Sequence, residues 1–347
     1  LLRPGGVLSL IFTISITQGA TRRRGLARVL EAGGRVVCAE RRVPWPGDAG
    51  VVVSLLHLRR GETRREGRRR GEARDRVLLD GQEVASIDSH LAAMVPQAEP
   101  AVCDAMRGRA FIGCFLRGKG FVWDDVSAGR TLADAERLQE REPAIREFIH
   151  PFLGGAEVLA PRAKGRRRLV VKLPDDLEEA ELRLRFPLTH EHLARHVRPE
   201  RERLGESQAD RQHRARWWLF ANTRPRLFSR LAGLSHLIVI PRMSRRLIAA
   251  RVGAGFVPSD QLVVVTSASH AVLALLSSAL HATWAGRHSS TLGDGLRYTP
   301  QTAFETFPLP WPSFEALEGA AAVGARGREL AGGGAERERA GARRRRA

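Results

Sequence analysis

The sequence predicts an α/β chain. Residues 1–60 carry the closing strands of an incomplete doubly wound sheet, and residues 108–315 form an α+β domain. Three observations lead there. Residues 5–60 read strand, helix, strand, tight loop, strand. The last of these strands, "AGVVVSLLHL", is apolar on both faces, which suits the inside of a covered sheet. Beyond Arg211, three more strands follow one another and lead into an amphipathic helix.

The first strand is "GGVLSLIFT", entered through the turn Pro4-Gly5-Gly6. "TRRRGLARVLEAGG" is a helix stopped by Gly33 and Gly34. "RVVCAERRV" is the second strand, and "PWPGD" turns the chain into the third. Residues 61–107 read as a linker, arginine-rich over 61–76, and a connecting segment. In the next domain "AFIGCFLRG" and "RRLVVKL" are strands, and "FIHPFLGGAEV" is a loop. "DDLEEAEL" and "EHLARHVRPERERL" are helices with their charges outward. "RARWWLFANTRPRLFSRLAGL" is a short helix or two, broken at Pro225. "LIVIP", "RLIAARV" and "QLVVVTS" are strands.

"SHAVLALLSSALHATWAG" is expected as one helix, capped by Ser269 and ended by Gly286, with a stripe of Val272, Leu276, Leu280 and Trp284. Alternating Pro308, Pro310 and Pro312 exclude a helix in "FETFPLPWP". That stretch reads as an extended strap that packs the domain shut, with Leu309 and Trp311 buried. Residues 316–347 read as a disordered basic tail.

The formal net charge is +19, from 57 basic and 38 acidic residues. Residues 59–76 and 321–347 account for about half of it, and the rest is spread over the globular part. Such a balance points to a polyanion, because neutralising phosphates releases counterions. No apolar run reaches the roughly 20 residues of a spanning helix, so no membrane is expected. Cys38, Cys103 and Cys114 lack CxxC spacing, which suits a reducing, cytoplasmic setting. His192 and His196 share a helix face in "THEHLARHV" but lack a third ligand, so no metal is expected. Neither a phosphate-binding P-loop nor a GxSxG elbow is present.

Trp45, held between Pro44 and Pro46 at the mouth of two strands, either stacks on a flat ligand or plugs the sheet edge. In "RARWWLFANTRPRLF" the arginines and aromatics are either a phosphate-and-base surface or a core with a wet rim. The core reading is preferred for Trp217, Trp218, Phe220 and Phe228.

Taken in order, "LLRPGGVLSLI", "GGRVVCAERRVPWPGDAGVVVSLLHL", "FIGCFLRGKGFV", "FLGGAEV", "RWWLFANTRPRLF", "LIVIPRMS", "SDQLVVV" and "LRYTPQTAFETFPLP" resemble the C-terminal part of an adenine-specific class I DNA methyltransferase of the type IIG/IIL restriction–modification family. The resemblance covers residues 1–60 and 108–312 and implies the end of a methyltransferase sheet followed by a target-recognition domain. It implies methyl transfer from S-adenosylmethionine to adenine N6 in double-stranded DNA, with the base flipped out. It implies that Trp45 and Pro46 stack on that base. Arg224, Arg226, Arg242, Arg245, Arg246 and Arg297 are then the expected DNA contacts, and the hairpin after "LIVIPRMS" is expected to enter a groove.

The family's Gly-rich cofactor loop and Asn-Pro-Pro-aromatic motif are absent, and Asn222 is the sole asparagine. A missing N-terminal catalytic half is therefore expected to hold S-adenosylmethionine, and this chain alone is expected to be inactive. The alternatives are a non-enzymatic specificity module serving a separate catalytic chain, or a truncated product without function.

Overall fold

The computed structural model describes residues 2–48, 51–61, 76–95, 99–125, 127, 129–159, 167–292 and 295–319. Most of the arginine-rich linker and the tail from residue 320 lie outside the described residues. The chain forms two compact units, Leu1–Val102 with Thr283–Arg297, and Cys103–Ala282 with Tyr298–Ala347.

The first unit contains β1 (Val7–Thr13), α1 (Gly19–Arg24), α2 (Leu26–Glu31), β2 (Gly34–Pro44), β3 (Val52–Arg60), β4 (Val77–Leu79) and β5 (Gln82–Val84). Its sheet runs β1-β3-β2-β4-β5. The strand that is apolar on both faces, β3, lies between β1 and β2, and buries Val53, Leu56 and Leu58. It is antiparallel to both neighbours, so β1 and β2 run the same way. A wholly parallel arrangement is ruled out here by the short loop between β2 and β3, since a parallel crossover needs a dozen or more residues. The expected single helix is two, divided at Gly25 (φ −105°, ψ −96°). Gly33 (φ +88°) ends the second of them.

Residues 77–84, in the expected connecting segment, form a hairpin. β4 pairs with β2 and turns into β5, placing Val77 and Leu79 in the core with Leu26, Val36 and Leu56. Asp80 and Gly81 make the turn with φ of 50° and 78°. Asp-Gly is a strong sequence signal for this two-residue hairpin.

The second unit opens with β6 (Ala110–Ile112), β7 (Val122–Trp123), α3 (Leu132–Arg141), β8 (Ile149–Leu153), α4 (Gly155–Leu159) and β9 (Leu169–Val171). Helices α5 (Glu179–Arg185), α6 (Pro187–His196), α7 (Arg198–Glu202), α8 (Gln208–Ala215) and α9 (Pro225–Leu231) follow. Pro225 starts α9 rather than breaking a helix, because its missing N–H is harmless in a first turn. Then come β10 (His236–Pro241), β11 (Met243–Ser244), β12 (Ala250–Gly253), β13 (Val257–Pro258), β14 (Leu262–Val265), α10 (His270–Leu276) and α11 (Ala279–His288), whose residues from Thr283 on belong to the first unit. Two four-stranded sheets result, β12-β10-β14-β6 and β13-β8-β9-β7.

Three expectations for this unit are corrected. "FIHPFLGGAEV" is not a loop but β8 and α4, because β9 and β13 supply partners for its backbone. The long helix is two helices. Ser269 caps α10 as expected, but the helix stops at Ser277, and the Ser278 hydroxyl accepts the His281 N–H to restart it. The stripe therefore fails at Leu280, which is 76% exposed, and Gly286 lies inside α11. The strap buries Tyr298, Phe304 and Phe307 instead of Leu309 and Trp311, and the three prolines are exposed. A final helical stretch, residues 314–319, buries Phe314 and, within what reads as tail, Leu317.

Replacing Pro308 by Ala is accordingly expected to change stability by less than about 0.5 kcal/mol, since its ring is exposed. Phe307→Leu is expected to cost about 1–1.5 kcal/mol. Denaturant midpoints of the two variants would check the contrast.

The hairpin β15 (Ser290–Leu292) and β16 (Gly295–Arg297) returns to the first unit.

Candidate nucleic-acid interface

Residues 113–116 leave β6 and thread between two loops of the second unit. On one side Cys114 N donates to Pro258 O (2.8 Å), and Asp260 N donates to Cys114 O (2.8 Å). On the other side Phe115 and Asn222 exchange both backbone hydrogen bonds, at 3.1 and 3.0 Å. The thread needs Gly113, because a Cβ there would lie 2.2 Å from Ser259 O and 2.5 Å from Pro258 O.

Two of the six arginines expected on DNA are built into this crossing. Arg224 takes a left-handed conformation (φ 60°), and its Nε donates to Gly113 O (3.1 Å). Its own N–H goes to the Asn222 side-chain oxygen at 3.2 Å. Arg242 donates from Nη1 to Asp260 O and from its backbone to Gln261 O, both at 2.8 Å. Both guanidiniums thus hold backbone carbonyls and order the loops that carry them.

Arg226, Arg245 and Arg246 are exposed, as is Arg230, and none has a carboxylate partner among the described residues. Arg297 is also exposed, but it sits in β16 and so belongs to the first unit.

Trp45 lies in the loop between β2 and β3, where its N–H bonds Val51 O (2.9 Å). Trp45 is 43% exposed and does not plug the sheet. The indole passes over Gly47, whose Cβ would meet Nε1 at 3.0 Å. Pro46 is exposed beside it.

Trp217, Trp218 and Phe220 are buried core, and Phe228 is half-buried under the Lys172 ammonium at 4.4 Å. His192 also has a structural setting. Its Nε2 donates to Gly120 O (2.9 Å), its ring stacks on Trp123 (4.8 Å, 23°), and burial pushes its pKa down to about 4. Among the described residues no group of three or more His, Cys, Asp or Glu could hold a metal. Burial pushes the Cys114 thiol up to about 12, so it stays protonated and unreactive.

Sequence reasoning missed Arg201, a residue in a helix whose charges were all expected outward. It is fully buried, and its Nη2 donates to Leu116 O and Leu219 O, both at 2.8 Å. The signal was present: Leu193, Val197 and Arg201 recur every four residues on one buried stripe.

Three comparisons with known proteins bear on this site. The family described as "MmeI, target recognition domain" matches residues 130–311, over half of the chain. No curated protein matches. A solved structure of the type IIL restriction-modification enzyme MmeI in complex with DNA is similar at 18% identity and a TM-score of 0.68. The similarity covers 93% of this chain and 42% of that one.

Proposed function

Because the chain belongs to the MmeI target-recognition-domain family, we propose that it reads sequence in double-stranded DNA for a restriction–modification enzyme. The observation that carries this is the match itself, since residues 130–311 include the loops that present Arg224, Arg226, Arg242, Arg245 and Arg246. The exposed arginines of α9 and of the turn after β11 lack carboxylate partners among the described residues and are free to neutralise phosphate.

The test is a fluorescence-anisotropy titration of the whole chain with duplex DNA. Four phosphates neutralised give a slope of about −3.6 in log K against log salt, or roughly a hundredfold loss between about 50 and about 200 mM. Replacing Arg245 and Arg246 together by Ala is expected to reduce that slope by about two. Affinity independent of salt would overturn the proposal.

We further propose that a longer polypeptide supplies adenine-N6 methylation. The residues present do not fit S-adenosylmethionine, since neither the Gly-rich loop nor the Asn-Pro-Pro-aromatic motif occurs in the sequence. No chemical step is assigned to this chain. β1 supports the proposal: it is an edge strand, whose free backbone groups a further strand would pair. In such a longer enzyme Trp45 would hold the flipped base. Trp45→Ala is then expected to weaken 2-aminopurine capture by about tenfold while leaving duplex affinity nearly unchanged. Equal loss of both would remove Trp45 from that role.

A further inference from the structure

We propose that Phe115 and Asn222 form the base-reading pair of the second unit, with Asn222 reading adenine and Phe115 lying against a neighbouring base. This inference rests on the duplex-binding reading above and names residues that reading left open.

The backbone fixes the geometry. Phe115 and Asn222 form an isolated antiparallel pair that exchanges both N–H···O bonds. Directly opposed residues of this kind send their side chains to the same side, with Cβ atoms about 5 Å apart. Alternation fixes which side that is. Cys114 and Leu116 are buried in the core, so Phe115 between them turns outward and is 41% exposed. Asn222 is exposed beside it.

The chemistry of the pair suits a base edge. One lone pair of the Asn222 side-chain oxygen accepts the Arg224 N–H (3.2 Å), which holds the carboxamide in one orientation. The second lone pair remains, and no protein acceptor takes the Nδ2 hydrogens among the described residues. A carboxamide so placed can accept from adenine N6 and donate to N7, the bidentate contact that distinguishes adenine in the major groove. An exposed aromatic ring beside it supplies apolar contact to a base, such as a thymine methyl.

Rigidity is the remaining requirement, and it is met from both sides. The thread carrying Phe115 is held at Cys114 by Pro258 and Asp260. The loop carrying Asn222 is held by Arg224 to Gly113, and by the Thr223 hydroxyl to the Asp175 carboxylate (2.8 Å). Left-handed arginines, Arg117 and Arg224, flank the pair on the two strands. Strained backbone of this kind persists where the surroundings over-determine it, commonly at binding sites.

The test selects bound duplexes from a random-sequence pool with the full chain, then repeats the selection with Asn222→Ser and Phe115→Leu. Serine keeps an acceptor for the Arg224 N–H, and leucine keeps the apolar packing, so both variants are chosen to fold; thermal melts verify this. The unaltered chain is expected to select adenine at one position. Asn222→Ser is expected to relax that preference about tenfold, with non-specific affinity unchanged within about twofold. Phe115→Leu is expected to weaken the preference at the adjacent position. If both folded variants keep the unaltered chain's preference at every position, the pair does not read bases, while the duplex-binding reading stands. If the unaltered chain binds no duplex, or binds without preference, that reading fails and this inference with it.

Discussion

Arg201→Ala is expected to lower the stability of the second unit by about 3–5 kcal/mol. Truncation leaves a cavity where a large side chain was enclosed, at a cost of about 2–5 kcal/mol for side chains of this bulk. It also strips the Arg201 donor from Leu116 O and Leu219 O, both bonded at 2.8 Å, and leaves Leu116 O only the longer bond from Ala221 N (3.5 Å) among the described residues. Working against these is the burial of the cation itself. Desolvation pulls the Arg201 pKa down to about 10, with Arg117 nearby adding to it. Nε and Nη1 have no partner among the described residues.

Arg201→Met separates the two effects, because it fills most of the space and carries no charge. It is expected to cost about 1–3 kcal/mol, the penalty for leaving Leu219 O unpaired and Leu116 O with one long bond. Guanidinium unfolding followed by tryptophan fluorescence reads both variants, since Trp217 and Trp218 are buried in the same core as Leu116 and Leu219. A loss below about 1 kcal/mol for Arg201→Ala would mean that desolvation cancels the two hydrogen bonds. The functional consequence follows from position: Leu116 adjoins Phe115 and is bonded to Ala221, which adjoins Asn222, so the variant is also expected to loosen the Phe115–Asn222 pair.

The second large effect is a loss of stability in mild acid. His90, His192, His281 and His288 are all held at about 4, in each case chiefly because burial disfavours the charged ring. The ordinary value is near 6.5. Above that pH neither state is protonated, and the full stability is present. Between about 6.5 and about 4 the unfolded chain takes up protons that the folded chain refuses, so stability falls with pH. Below about 4 the contribution levels off.

His281 is the cleanest case. It is fully buried, its Nε2 shares a hydrogen bond with the Tyr298 hydroxyl (2.9 Å), and it sits edge-on to Phe307 at 4.7 Å. A depression of this size is worth about 3 kcal/mol at full effect. Denaturant midpoints at pH 7.5 and pH 4 are therefore expected to differ strongly. His281→Gln, which does not titrate, is expected to narrow that difference by about 3 kcal/mol. An unchanged difference would show that His281 is not among the groups that sense the acid.

Much of the architecture was legible because local chemistry and tertiary context agreed. The two-faced apolar strand lies inside its sheet, and Ser269 caps its helix. Where they competed, context won. "FIHPFLGGAEV" carries turn residues, yet strand partners on both sides draw it into a sheet. The four-residue apolar stripe spans Ser277 and Ser278, yet α10 ends with the Ser277 backbone N–H on Leu273 O, and the Ser278 hydroxyl accepts the His281 N–H to restart the helix.

By itself the sequence carried the charge that points to a polyanion and the type of most of the long elements. An arginine excess of this size selects a polyanion whatever the fold, and apolar periodicity sets helix and strand before any packing exists. Only the tertiary structure decided which arginines are available to that partner. Arg201, Arg224 and Arg242 bond backbone carbonyls, while Arg226, Arg245 and Arg246 face solvent. The reason is physical: a guanidinium is a donor fork for any carbonyl oxygen as much as for a phosphate. Which acceptor it meets depends on distances that arise only when residues far apart in the chain come together.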